Sequence, residues 1–190
     1  MRWTAVAALC AAVMSVSACG YLPPTDTATM PLNESGGPEM NQNAAIAMAG
    51  WALKDPATTH GNPERAARGI AAEDWLAGQD MLTPDFGDYA PVQQVSWSIL
   101  RQQVRAAVGV APGTPSQIVV NQMLAAAKAL HAGDTKTAAA QFQPPAFTLG
   151  PEGTLAALGN LPPFPGWGWA FAELGRNENR EFGRCFGLIC

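Results

Sequence analysis

The 190-residue chain is short of charge, of histidine and of β-branched runs, and each shortage removes a class of function. Only 14% of its residues are charged, with 11 Lys and Arg against 15 Asp and Glu and a formal net charge of −4. Binding a phosphate backbone takes clustered basic residues. None are clustered here, so nucleic acid is not an expected partner. There are two histidines, His60 and His131. A Ser-His-Asp device would have to bring one of them to a serine and a carboxylate, yet no G-x-S-x-G elbow frames a nucleophile. No Gly-rich phosphate loop ends in a lysine, and no segment recurs at the fixed period of a repeat array. Metal and cofactor are therefore not expected. Runs of β-branched residues are nearly absent from this Ala-rich chain, which argues against a barrel or sandwich.

Long hydrophobic runs are missing too. Ala5 to Val16 is apolar but too short to span a bilayer, and with Arg2 before it the run fits a signal-peptide core. It ends in Val16-Ser17-Ala18-Cys19-Gly20. This resembles the lipobox of bacterial lipoproteins: an aliphatic residue, two small residues, then cysteine. The resemblance implies cleavage after Ala18 and lipid on Cys19, first on its sulfur and then on its new amine. Gly20, where lipoproteins kept in the inner membrane typically carry Asp, implies the outer membrane facing the periplasm. Each buried CH₂ adds about 0.8 kcal/mol, so two or three acyl chains hold firmly where one holds marginally. The alternative is an ordinary secretory leader, which leaves Cys19 as a free or disulfide-bonded thiol.

Removing residues 1–18 leaves about 170 residues, enough for one domain with a real core, and makes the chain one unit more negative. Of four cysteines, Cys10 leaves with the leader. Cys185 and Cys190 remain at the C-terminus, and in an oxidising compartment such a pair is first expected as a disulfide. Free thiols or a metal are the alternatives, although zinc takes about four ligands and no histidine is near.

Residues 19–40 combine Pro23, Pro24, Pro31, Gly36, Gly37 and Pro38 with Thr, Asn and Ser, the composition of a flexible tether. The folded part is expected from 41 to 143. A helix runs from Asn41 to Leu53 and ends before Pro56. Asn62 as cap and Pro63 at the first position begin a second, amphipathic helix to about Gln79. Its apolar face is Ala67, Ile70, Ala71, Trp75 and Leu76, with Arg65, Arg68, Glu73 and Asp80 on other faces. Pro91 opens a third helix, whose inward face is read as Val92, Val95, Ile99, Leu100, Val104 and Val108, with Gln93, Gln94, Arg101, Gln102 and Arg105 mostly left wet. Thr114 and Gln117 match a capping box for a fourth helix carrying Val119, Met123, Ala126 and Leu130. Gly133 ends it, and Asp134 caps a short helix toward Phe142. A protonated His131 suits the end of the fourth helix without any catalytic role.

From 144 to 190 six prolines break the chain into an extension expected to pack on the helical domain. Pro151 to Leu158 and Trp167 to Leu174 read as short helices within it. Together these elements predict an all-α fold, a small irregular bundle of about five to seven helices with a Pro/Gly-rich C-terminal region.

Phe164, Trp167, Trp169 and Phe171 lie close together in LPPFPGWGWAF. Tryptophans stack on sugar rings or anchor protein contacts. The favoured reading is that these rings cover an open end of the bundle; the other is that they face a partner. Two function classes follow. The first is a non-enzymatic envelope lipoprotein, held at the membrane by its lipid, that binds or scaffolds an envelope protein or peptidoglycan. The competing class is a cell-wall-acting, glycoside-cleaving enzyme or accessory factor. Such cleavage needs two carboxylates about 5 to 10 Å apart across a cleft, one of them desolvated. Glu73, Glu152 and Glu173 are the candidates.

Overall fold

A computed structural model describes residues 26–33, 35–78 and 91–171, and for 91–94 the backbone alone. The described residues form helices with no named strand: α1 (Gln42–Lys54), a 3₁₀ turn (Pro56–Thr58), α2 (Pro63–Gly78), α3 (Pro91–Ala107), α4 (Ser116–His131), α5 (Thr135–Ala139) and α6 (Gly150–Leu158). A last helical turn covers 167–171. The all-α bundle expected from the sequence is what forms. No helix among the described residues is long and apolar enough to cross a membrane.

The helix starts follow local chemistry. Asn41 accepts a hydrogen bond from Ala44 N at 2.9 Å, Asn62 from Arg65 N at 3.0 Å and Asp134 from Thr137 N at 2.9 Å. Each satisfies an amide that the first turn leaves open. Gly133, at φ +77°, takes the left-handed position that closes α4. The capping box expected at Thr114 and Gln117 does not form. Pro115 occupies the cap position and offers no side-chain oxygen. The Thr114 hydroxyl donates instead to Ala146 O at 3.5 Å, and Gln117 is used elsewhere.

α2 is the central helix. It packs chiefly on α1 and α4, and Ala66, Ala67, Gly69, Ile70, Ala71, Ala72 and Leu76 are all buried. Small residues on several sides let neighbours approach closely. A Cβ on Gly69 would stand 2.3 Å from the Ala52 Cβ of α1, so only glycine permits this helix contact.

α3 turns inward the Leu100, Val104 and Val108 stripe that the sequence suggested, but with Trp97 in place of Val95 and Ile99. Trp97, Leu100, Val104 and Val108 are buried, at spacings of three and four, whereas Val95 and Ile99 are 58% and 46% exposed. The backbone settles the choice. Positions 95 and 99 fall on the side of the helix opposite 97 and 104, and burying an indole outweighs burying one aliphatic side chain. Side chains of this size contribute about 1.5 to 3 kcal/mol each when buried.

The tether expected over 19–40 does not extend that far. Residues 26–33 and 35–40 form a strap lying on the bundle, with Ala28, Met30 and Met40 buried in the common core. Gln117 clamps it, accepting from Thr29 N at 2.8 Å and donating to Thr29 O at 3.0 Å. Three buried apolar side chains and one amide clamp help to hold a segment whose composition reads as linker. The residues beyond 143 join the same core through Phe147, Leu158, Leu161, Phe164 and Ala170.

Candidate functional site

Where α2, α3, α4 and the strap meet, five ionisable side chains are collected. Asp74 of α2 is fully buried, and Arg105 of α3 binds it through two parallel bonds, Nε to Oδ2 at 2.6 Å and Nη2 to Oδ1 at 2.8 Å. Such bidentate, charge-assisted pairs are the strong ones. Arg105 Nη1 also donates to Thr114 O at 2.8 Å. One turn earlier, Arg101 Nη2 bonds Asp26 Oδ2 of the strap at 2.6 Å and lies 3.3 Å from Asp74 Oδ1. Ser116 links the pairs: its hydroxyl donates to Asp74 Oδ1 at 2.5 Å and accepts from Arg101 Nη2 and Arg105 Nη2. Its amide donates to the Asp26 carboxylate at 2.9 and 3.0 Å. Asp26 therefore caps α4 from outside the helix, placing negative charge at the positive helix end.

The fifth member is Glu73. It was read as a surface residue of an amphipathic helix, and it is fully buried, with neither carboxyl oxygen hydrogen-bonded among the described residues. Residues 69–74 of α2 are all buried, and Arg101 and Arg105 of α3 act on Glu73 there. Burial pushes the Glu73 carboxyl well above the usual carboxylate range, and the neighbouring Asp74 charge pushes it the same way. Arg101 and Arg105 oppose this without cancelling it. The neutral form is favoured. Two arginines then balance Asp26 and Asp74, and Glu73 adds no fifth charge. Burial also works against the charge of Arg105, but its bond to Asp74 and the surrounding carboxylates outweigh that and raise its pKa.

A desolvated acid beside an ionised carboxylate is what glycoside cleavage calls for. Here both side chains are sealed: Glu73 and Asp74 are 0% exposed, and neither lines the two surface grooves described below. Glu152 is exposed on α6, unlike the enclosed Glu73, and Glu173 lies outside the described residues. His60 is exposed, and His131, 75% exposed by its side chain, has Nδ1 at 3.2 Å from Glu64 Oε1. Cys19, Cys185 and Cys190 also lie outside the described residues.

The four aromatic residues of LPPFPGWGWAF part company. Phe164 is buried. Phe171 stacks on Trp167 at 5.0 Å between centroids and meets Trp97 of α3 at 4.9 Å. Trp167 donates from Nε1 to Gly50 O of α1 at 3.1 Å, and Lys54 Nζ lies 5.8 Å from its ring. A Cβ on Gly50 would sit 3.1 Å from the Phe171 ring, so α1 offers a flat seat for it. These three residues close the bundle. Trp169 does not, and is 75% exposed.

Two grooves cross the surface. One, of about 600 Å³ between α1 and α2, is floored by Ala44, Ala47 and Met48 and walled by Trp51, Asn62, Glu64, Arg65 and Arg68. The Arg65 guanidinium lies 4.1 Å from the Trp51 ring centre, close enough for a cation–π contact, and Trp51 remains half exposed. The second, of about 730 Å³, runs between the strap and α4 and also reaches Arg68. Arg68 stands between them, bonded to Glu39 of the strap at 3.3 Å and to Glu64 at 3.4 Å. The buried cluster and the α1–α2 groove both escaped the sequence reading. Arg101 and Arg105, one turn apart on α3, were the legible hint.

Compared with known proteins, the chain matches no protein-family model, no curated protein and no solved structure, so the geometry of the bundle and its grooves is what bears on function.

Proposed function

We propose that the chain is a non-enzymatic envelope lipoprotein, held at the membrane through lipid on Cys19, that binds a protein partner through the α1–α2 groove. The observation that carries the binding reading is the half-exposed Trp51 stacked on Arg65 above a floor of Met48 and alanines. Tryptophan and arginine dominate the energetic centres of protein interfaces, and methionine adapts to varied apolar partners. Small floor residues let another helix approach closely, as helix-in-groove recognition requires. Arg65 and Arg68 outnumber Glu64 on the walls. The occupant that fits is an apolar helix face flanked by an acidic residue. Against the competing cell-wall-cleaving reading, the adjacent carboxylates Glu73 and Asp74 are both enclosed.

The experiment is crosslinked capture from intact cells, comparing wild type with Trp51→Ala and Cys19→Ser. Trp51→Ala should lose the captured partner at least tenfold while the helical circular dichroism stays unchanged. Cys19→Ser should move the protein to the soluble fraction. Capture by Trp51→Ala at the wild-type level would remove the groove from the account.

A further inference from the structure

The buried cluster holds two unmatched groups that complement each other. Both Glu73 oxygens lack a hydrogen bond, and so does Arg101 Nε, although all three atoms are buried. The same Arg101 anchors the strap, through Nη2 to Asp26 at 2.6 Å. Asp26 is the wetter partner, with 39% of its side chain exposed, while Glu73 is enclosed. A guanidinium has five N–H donors in a fixed fork and can change partners by rotating its stem.

We propose that Arg101 is shared between Asp26 and Glu73, and that its transfer from the first to the second undocks the strap. While the Glu73 carboxyl keeps its proton, Asp26 and Asp74 match Arg101 and Arg105, and the strap is locked onto the first turn of α4. When Glu73 gives its proton to solvent, the cluster holds three carboxylates and two guanidiniums. The new anion has no water to solvate it, whereas Asp26 has some. Arg101 turns to Glu73, and Asp26 leaves with the strap into water. Among the described residues the charged groups that act on Glu73 are Asp74 on its own helix and Arg101 and Arg105 from α3; Asp26 of the strap meets it only through Arg101. Ser116 of α4 keeps its bond to Asp74 in both arrangements.

The change alters reach. Cys19 stands seven positions before Asp26 and 22 before Asn41. At about 3.4 Å per residue, the greatest span open to the chain between Cys19 and the bundle rises on undocking from about 24 Å to about 75 Å. This consequence rests on the proposed anchor at Cys19; the exchange of partners does not.

Hydrogen exchange of the full mature chain, read by mass spectrometry between pH 5 and pH 10 and corrected for the intrinsic exchange rate, tests the proposal. Protection across residues 26–40 should fall at least tenfold as pH rises, while the interiors of α2 and α4 stay protected. Glu73→Gln and Glu73→Met, two uncharged side chains of similar length, should keep the strap protected throughout. Asp26→Asn should leave it unprotected at every pH. Flat protection in the wild type would overturn the exchange. So would a fall that persists in whichever Glu73 variant folds, or strap and helices losing protection together. Failure of the anchor shows up separately, as a chain that does not float with lipid vesicles.

Discussion

Replacing Asp74 with alanine removes the carboxylate that holds three helices together, and the structure sets the size of the loss. Asp74 accepts two bonds from Arg105 and one from Ser116, at 2.5 to 2.8 Å, and is fully buried. A hydrogen bond to a charged group contributes about 1.5 to 3 kcal/mol, but the three are not additive because all end on one group. The remaining side matters more. Arg105 and Arg101, each with 14% of the side chain exposed, would keep Asp26 as their one carboxylate ion-pair partner among the described residues. Removing one partner of a buried pair costs about 3 to 5 kcal/mol, against a total of about 5 to 15 kcal/mol for a domain of this size. Urea unfolding of the mature chain, followed by circular dichroism, should therefore show Asp74→Ala losing at least about 3 kcal/mol with an unchanged slope. The half-exposed pair of Arg68 and Glu39 is the control, and Glu39→Ala should cost less than about 1 kcal/mol. A loss below about 1 kcal/mol for Asp74→Ala would refute the view that this cluster pins α2, α3 and α4.

Three further outcomes follow from particular contacts. Because the folded state raises the Glu73 carboxyl, its contribution to stability is complete below the unfolded value of about 4.3 and is lost as pH rises through the folded one; thermal melting should show Glu73→Gln flattening that decline. Gly69→Ala gains up to about 1 kcal/mol of helix propensity but drives its methyl group into Ala52; it should still lose about 1 to 3 kcal/mol in denaturant melts, with Ala52→Gly restoring part of it. Trp97→Ala should cost about 3 to 5 kcal/mol, whereas Trp169→Ala, at a site 75% exposed, should stay within about 0.5 kcal/mol of wild type in the same melts.

Helix positions were legible because punctuation residues act locally. Asn41, Asn62 with Pro63, and Gly133 with Asp134 fix their own neighbourhoods whatever packs on them. Helix faces were less legible. The count of Val92, Val95 and Ile99 on α3 passed over Trp97, set between two serines, although its burial decides the orientation. α2 misled for a different reason. Its alternation of Arg, Glu and Ala resembles an amphipathic surface helix, but alanine and glycine let neighbours close on several sides and enclose Glu73 and Asp74. The strap escaped because Pro, Thr and Asn look the same in a docked segment as in a free one. Of the expected aromatic site, burial of Phe164 and docking of Trp167 and Phe171 match the bundle-closing reading, and Trp169 does not. No local pattern pairs Asp26 with Arg101 across 75 positions.

Attachment through one sulfur underlies the proposed role, since it confines the bundle to a surface and makes the length of the strap matter. Mass spectrometry of the N-terminal peptide from protein extracted with detergent tests it directly. The account predicts a peptide beginning at Cys19 and carrying a diacylglyceryl group with a further acyl chain on its amine. A peptide beginning at an unmodified Cys19, or one still joined to residues 1–18, would contradict it.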